Sequence, residues 1–311
     1  MTHPMQRPNA ADIDAAQDRI RGVALRTPLL PAGEGLWLKL EALQPYGSYK
    51  IRGATNAIKA RLEREPGMAA VVSASAGNFG QAIAAAARGL GLPCIIHVPD
   101  NAARVKVEAL KRLGATVREH PFDGWWEIMQ TRRTGDPGAF FHPVCEPEVI
   151  AGAATIGQEI LEDLPEVGAV LAPIGGGGLA CGIAGAIKRA KPEVRMVAVE
   201  NQTSAALDAA FKAGRPVKIE RTPSFIDGMG STGVLEPMWP LLRSLMDEVA
   251  VVGVAEIEAA IRRLARDHHV IAEGAGAAAL AAADRTWPGP TVAIVSGGNI
   301  DPAVLARVLQ G

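Results

Sequence analysis

The chain is predicted to be an α/β protein of two domains, each built on a mainly parallel sheet flanked by helices. Three observations predict this. Apolar runs of strand length alternate with helical patterns over most of the 311 residues, the order expected of parallel strands covered on both faces. The alternation comes in two blocks, parted by residues 121–147, which are rich in Gly, Pro and aromatic side chains. A four-glycine run stands directly between an apolar strand pattern and a helical one, where backbone N–H groups gather around an anion.

In the first block, residues 71–75 predict a strand, 81–88 a helix, 94–98 a strand, 103–113 a helix and 116–119 a strand. This is a βαβαβ unit. A helix over 149–164 opens the second block, followed by a strand over 169–174, a helix over 179–188, a strand over 194–200 and a helix over 204–213. A further strand is expected over 291–295. Residues 121–147 read as a crossover, so a smaller domain (53–143) is expected inside a larger one (1–52 and 144–311), with the cleft between them as the site.

Composition narrows the partners. There are 32 basic and 33 acidic side chains, interspersed, for a formal net charge of -1. That gives no electrostatic case for nucleic acid or an anionic membrane. The most apolar stretches are broken by Arg88, Pro93 or Glu273, and the N-terminus lacks a secretory signal pattern. Cys94, Cys145 and Cys181 are far apart and show no metal-binding spacing. They fit small buried thiols in a reducing, cytoplasmic setting.

Four segments carry chemistry. Residues 45–54, Pro-Tyr-Gly-Ser-Tyr-Lys-Ile-Arg-Gly-Ala, hold Lys50; residues 73–81 read Ser-Ala-Ser-Ala-Gly-Asn-Phe-Gly-Gln; Gly175 to Gly178 form the glycine run; and residues 296–299 read Ser-Gly-Gly-Asn. A phosphate is the natural occupant of the glycine run at a helix N-terminus. Gly175, Gly177 and Ala180 also satisfy G-x-G-x-x-A, with Glu200 at the end of the next strand, close to a dinucleotide fingerprint. A nicotinamide enzyme, however, gives no reason for Lys50, Asn78 and Ser296 to occur in this order. Taken singly, Asn78 suits a turn and Ser296 a loop.

These four ordered motifs, with Arg26-Thr27-Pro28-Leu29 before them, resemble the threonine dehydratase and serine racemase family of pyridoxal phosphate (PLP) enzymes, known as fold type II and built like the tryptophan synthase β subunit. The resemblance implies PLP in the interdomain cleft, carried by Lys50, with Tyr49 and Leu179 among the cofactor-binding positions. It implies that Gly175, Gly176, Gly177 and Gly178 hold the phosphate, that Asn78 donates to the phenolic oxygen and that Ser296 pairs with the pyridine nitrogen. Gly228, with Asp227, and Glu273 are implied near the ring. Ser75, Ala76, Gly77, Asn78 and Phe79 are implied around the substrate carboxylate, and Ser231 near the substrate. A homodimer is implied as well. With twelve residues after Asn299 (311 minus 299), no regulatory domain of the kind some biosynthetic threonine dehydratases carry is expected.

The chain departs from the family pattern in four places. Serine racemase has a Ser before the Gly-Asn pair, where a second acid/base serves the face opposite the lysine; here it is Ala76. Dehydration from one face is therefore favoured over racemisation. Phe79 stands where the family usually has His. Phe122-Asp123-Gly124-Trp125-Trp126 aligns with an arm near the substrate, so Trp125 either lines the substrate pocket or packs the domain seam. Finally, Glu200 and Ser204 match two positions of the racemase's divalent-metal site, but Ala206 replaces the carboxylate at the third, which weakens a hard-cation site. The expected activity is elimination of water from a 3-hydroxy amino acid, such as L-threonine or L-serine, to give a 2-oxo acid and ammonia. A racemase, a PLP β-replacement enzyme and a silent PLP-binding protein are the alternatives.

Overall fold

The computed structural model describes residues 3–311. Helix α1 (Ala10–Ile20) leads to a hairpin, β1 (Leu29–Gly33) and β2 (Leu36–Lys39), and then to α2 (Lys50–Arg64). Next come β3 (Val71–Ala74), α3 (Asn78–Gly89), β4 (Cys94–Pro99), α4 (Arg104–Arg112), β5 (Thr116–His120), α5 (Phe122–Thr131) and β6 (Ala139–Phe141). The second half holds α6 (Pro147–Asp163), β7 (Ala169–Pro173), α7 (Gly178–Ala190), β8 (Arg195–Asn201), α8 (Ala206–Ala213), α9 (Trp239–Leu245) and β9 (Glu248–Val252). It closes with α10 (Val254–His268), α11 (Gly274–Ala282), β10 (Thr291–Ile294) and α12 (Pro302–Gln310).

Two sheets result, in the α/β arrangement expected. The larger has the order β1-β2-β10-β7-β8-β9 and is parallel except for the β1–β2 hairpin. Its central strands are apolar on both faces because helices cover both. Val170 and Ala172 of β7 face the core built with α6 and α7, whereas Leu171 between them faces the core built with α10 and α11.

The smaller sheet, β5-β4-β3-β6, is wholly parallel, and its strands lie between residues 71 and 141. Ile51, Ala54 and Ile58 of α2 and Phe79, Ala82 and Ile83 of α3 pack in its core. Residues 121–147 are more ordered than a crossover: they contain α5 and the strand β6, which pairs with β3. Three residues of strand are too few to show a period. Gly138 before it, at φ +126°, lies so close to the Ala70 carbonyl that a Cβ would come within 2.3 Å. That close approach lets β6 dock.

The N-terminus of α2 is fixed by a buried ion network. The Arg52 guanidinium, fully buried, donates to both oxygens of Glu41 (2.8 and 2.9 Å) and both oxygens of Glu159 (2.6 and 2.9 Å). Lys39 Nζ lies 2.6 Å from Glu159 and donates to the Thr27 carbonyl at 2.8 Å, while the Thr27 hydroxyl donates to Glu41 at 2.5 Å. Two cations thus meet two anions, and each carboxylate oxygen of Glu41 and Glu159 accepts at least one hydrogen bond. Removing one partner leaves an uncompensated buried charge. Arg52→Met is therefore expected to lower stability by about 3–5 kcal/mol, measured by urea unfolding. A loss below about 1 kcal/mol would show that the network behaves like an exposed ion pair.

Candidate active site

Lys50 opens α2, which places its side chain at the end of a helix rather than along its packed flank. Its Nζ stands 4.9 Å from the Tyr49 ring centroid, 5.7 Å from that of Phe79 and 3.5 Å from the Pro143 carbonyl oxygen. The Tyr49 N–H donates to the Ser296 carbonyl at 3.1 Å, and Ser48 bridges Gly297. The first and last of the four motifs, far apart in the chain, are thus joined by backbone hydrogen bonds.

The carboxyl end of β3 turns through Ser75, Ala76 and Gly77 into α3, all half-buried. Helix α3 starts at Asn78, three residues earlier than its apolar pattern predicts, so Asn78 lies in the first helical turn and not in a left-handed turn. Gly77 is the N-cap and supplies no side-chain cap to the first N–H groups. The Ser75 hydroxyl accepts from the Gly77 N–H at 3.3 Å. Asn78 Nδ2 donates to Glu273 Oε1 at 2.6 Å, and Asn299 Nδ2 donates to Asn78 Oδ1 and to the Tyr46 carbonyl, both at 2.8 Å. Burial pushes the Glu273 carboxyl up to about 7, against the opposing pull of the Asn78 amide. Asn299 is legible in the sequence as part of a motif, but its partners are not.

The glycine run leads from β7 into α7. Gly177, at φ +97°, is the N-cap of α7 and leaves the helix without a side-chain cap. A Cβ on Gly175 would come within 2.6 Å of the Gly228 carbonyl oxygen, and one on Gly176 within 2.5 Å of Val144 Cγ2. Gly228 itself lies against Ala275, 2.9 Å from where its Cβ would be, and 3.9 Å from Glu273 Oε1 by the same measure. Backbone without side chains, at an uncapped helix N-terminus, suits a phosphate. Ser296, buried, has its hydroxyl 3.5 Å from the Ala275 carbonyl. An amine, a phosphate cradle and a neutral hydroxyl are the parts a phosphorylated pyridine aldehyde needs, and the residues fit it. Leu179 follows the cradle in the first turn of α7 and is buried in the core.

Other predicted positions are placed by different partners. Glu200 accepts the Leu207 and Asp208 N–H groups, each at 2.8 Å, and so caps the N-terminus of α8. Ser204 donates to the Ser231 carbonyl, and the Ser231 hydroxyl donates to the Gly233 carbonyl at 2.5 Å. Among the described residues no cluster of three or more His, Cys, Asp or Glu is arranged to hold a metal ion. Trp125 donates from Nε1 to the His97 carbonyl of β4 at 3.2 Å and tilts against Phe122 and Trp126. The sequence reading missed Pro143 and Val144; only their position after an apolar strand of three residues could have pointed to them.

Known proteins resemble this chain in sequence and fold. A family model described as pyridoxal-phosphate dependent enzyme matches residues 20–297. The chain is 39% identical to an L-threonine ammonia-lyase of Thermotoga maritima, over 96% of this chain and 77% of the relative. It is 36% identical to a serine racemase of Rattus norvegicus, over 96% of both. Among solved structures, the processed form of threonine deaminase isoform 2 from Solanum lycopersicum superposes with a TM-score of 0.84 at 28% identity, covering 100% of this chain and 96% of that one.

The capping role of Glu200 has a measurable consequence. Burial pushes its carboxyl up to about 7, with the two backbone N–H groups pulling the other way. A carboxyl that holds its proton more tightly in the folded than in the unfolded chain contributes stability below its unfolded value, and that stability is lost as pH rises towards 7. The window runs from about 4.5 to 7, and the effect is at most about 3 kcal/mol. In Glu200→Gln, stability should fall less across this window than in the wild type. Urea midpoints at both ends of the window decide it: parallel pH dependences would remove Glu200 as the titrating group.

Proposed function

Because the chain belongs to the pyridoxal-phosphate dependent enzyme family, we propose that it is a lyase that converts a 3-hydroxy amino acid, such as L-threonine or L-serine, to a 2-oxo acid and ammonia. The observation that carries this reading is the amine of Lys50, beside the Pro143 carbonyl and the Tyr49 and Phe79 rings, in a chain whose position 76 offers only a methyl group. The same reading takes the enzyme to be cytoplasmic, in keeping with three free buried cysteines, and homodimeric, in keeping with the family.

When bound, PLP supplies an electron-accepting ring that acidifies the α-proton of an attached amino acid. The protein's own residues do the rest. Lys50 holds the cofactor and, once displaced by substrate, its Nζ takes the α-proton. The Tyr49 and Phe79 rings stand beside the amine, 4.9 and 5.7 Å from it to their centroids. The uncapped start of α3, with Ser75, Ala76 and Gly77, binds the substrate carboxylate, and Gly175 to Gly178 with the start of α7 hold the phosphate. Ser296 would meet the ring nitrogen with a neutral hydroxyl. It cannot keep a proton there as an aspartate would, which suits elimination, where the leaving hydroxyl drains the negative charge as it forms.

Two tests follow. Borohydride should fix the cofactor to Lys50, found by peptide mapping, and a panel of 3-hydroxy amino acids should release ammonia and 2-oxo acid with the wild type but not with Lys50→Ala. Label on another lysine, or a panel with no turnover, would sink the proposal. The second test separates lyase from racemase, the name carried by the rat relative. With one amine on one face, the wild type should give almost no inverted serine, and Ala76→Ser should add detectable racemisation by placing a hydroxyl opposite. Chiral analysis measures both; efficient racemisation by the wild type would make the racemase reading the better one.

A further inference from the structure

We propose that His142 is a positioning residue for Lys50. As a neutral acceptor of two backbone N–H groups, it turns the peptide that presents a carbonyl to the lysine amine and seats the valine that closes on the glycine run. The inference rests on the reading of Lys50 as the amine that holds the cofactor.

His142 follows β6 and is buried, with 5% of its surface exposed. Its Nδ1 accepts the Val144 N–H at 3.0 Å and the Cys145 N–H at 2.8 Å. A ring nitrogen that accepts carries no proton of its own, so the proton sits on Nε2 and the imidazole is neutral. Burial, together with the cations of Arg132 and Lys50, pushes its pKa down to about 3, which keeps it neutral through the pH range of most enzymes.

The consequence for Lys50 comes from peptide planarity. The Val144 N–H and the Pro143 carbonyl belong to one trans unit, since no cis bond is present among the described residues, and they point in opposite directions. Anchoring the N–H on His142 therefore aims the carbonyl the other way, where Lys50 Nζ lies 3.5 Å from its oxygen. At that length the carbonyl directs the amine without clamping it, so the amine remains free to move during the reaction. The same anchor fixes Val144, whose Cγ2 fills the space a Cβ on Gly176 would need. One imidazole thus sets both the amine and one wall of the phosphate cradle.

The loop is braced on either side. The Ser73 hydroxyl donates to the Phe141 carbonyl at 2.8 Å just before His142. After it, Arg132 donates to the Glu146 carboxylate at 3.2 Å, and the same carboxylate accepts the His142 N–H at 3.4 Å. The Val144 carbonyl also accepts the Glu146 N–H at 2.9 Å and the Cys145 carbonyl accepts from Arg132, so that the imidazole is the side chain that holds the Val144 N–H itself.

The test compares two holoenzyme variants with the wild type. His142→Leu keeps similar bulk and puts a methyl where Nδ1 stands, whereas His142→Asn can place an accepting oxygen there. Two readouts are taken: the fraction of Lys50 fixed to PLP by borohydride at limiting PLP, by peptide mass spectrometry, and kcat and KM for threonine. His142→Leu should lower both fixation and kcat by roughly tenfold or more while moving KM far less, and His142→Asn should recover most of the loss. A folded leucine variant with wild-type fixation and kcat overturns the proposal. So does an asparagine variant as impaired as the leucine one, because shape rather than acceptance would then be at work. Should the leucine variant not fold, His142→Ala with added imidazole replaces it: return of Lys50 fixation supports the proposal, and no return in folded protein overturns it. Failure of fixation at Lys50 in the wild type would instead sink the reading of the site itself, so the two failures are distinguishable.

Discussion

The buried pairing of Arg52 with Glu41 and Glu159 is the constraint on which the rest of the structure depends. Arg52 lies two residues after Lys50, on the first turn of α2, and its partners come from the segment after β2 and from α6. Burying these charges is costly, and only their mutual satisfaction returns the cost. The position of α2 relative to the large sheet is therefore narrowly defined. Helix α6 carries the constraint further through close glycine contacts. A Cβ on Gly152 would come within 2.6 Å of the Gly53 Cα of α2, and one on Gly157 within 2.6 Å of the Ile183 carbonyl of α7. The helix that begins with Lys50, the helix at the middle and the helix that begins with the glycine run are thus packed backbone to backbone. The distance between amine and cradle follows from that packing.

How much of this was legible depends on the range of each interaction. Strands such as β7 and β8 and the helices after them show in the sequence because burial on both faces leaves long apolar runs and a clear change of period. The β1–β2 hairpin does not show: β1 is exposed at most of its positions, and its pattern carries little burial signal. Strand β6 and helix α5 were hidden in a segment whose glycines and prolines suggest loops, because β6 needs only three residues once β3 offers it a parallel edge. Arg52 and Glu159 could be seen as charged residues in helical patterns, but not as partners 107 positions apart.

The site divides in the same way. Motifs in which backbone shape matters, the glycine run above all, are legible because few residues other than glycine tolerate such close approach. Their mutual arrangement is not, since it rests on contacts such as Asn78 with Glu273 and Asn299, which join three segments. Glu200 shows the opposite hazard. A carboxylate after a strand matches a metal-ligand pattern by position, yet the structure turns it onto the N–H groups of α8. A carboxylate can serve either purpose, and spacing along one strand does not say which acceptor or donor the next element brings to it.

Four helices begin close to one another: α2 with Lys50, α3 with Asn78, α7 with Gly178 and α11 with Glu273 as its N-cap. Lack of a side-chain cap is common in this chain and by itself distinguishes none of them. What sets them apart is that hydrogen bonds and close backbone contacts link their first turns: Tyr49 to Ser296, Asn78 to Glu273, Glu273 to Gly297, and Gly228 to both Gly175 and Ala275. Each N-terminus carries a partial positive charge that does not titrate, and partial charges that meet add. On the reading proposed above, these fixed dipoles would attract two anionic groups, a carboxylate and a phosphate. Fixed dipoles would then bind the anions, and on the lyase reading proposed above proton transfer at the α-carbon would fall to Lys50.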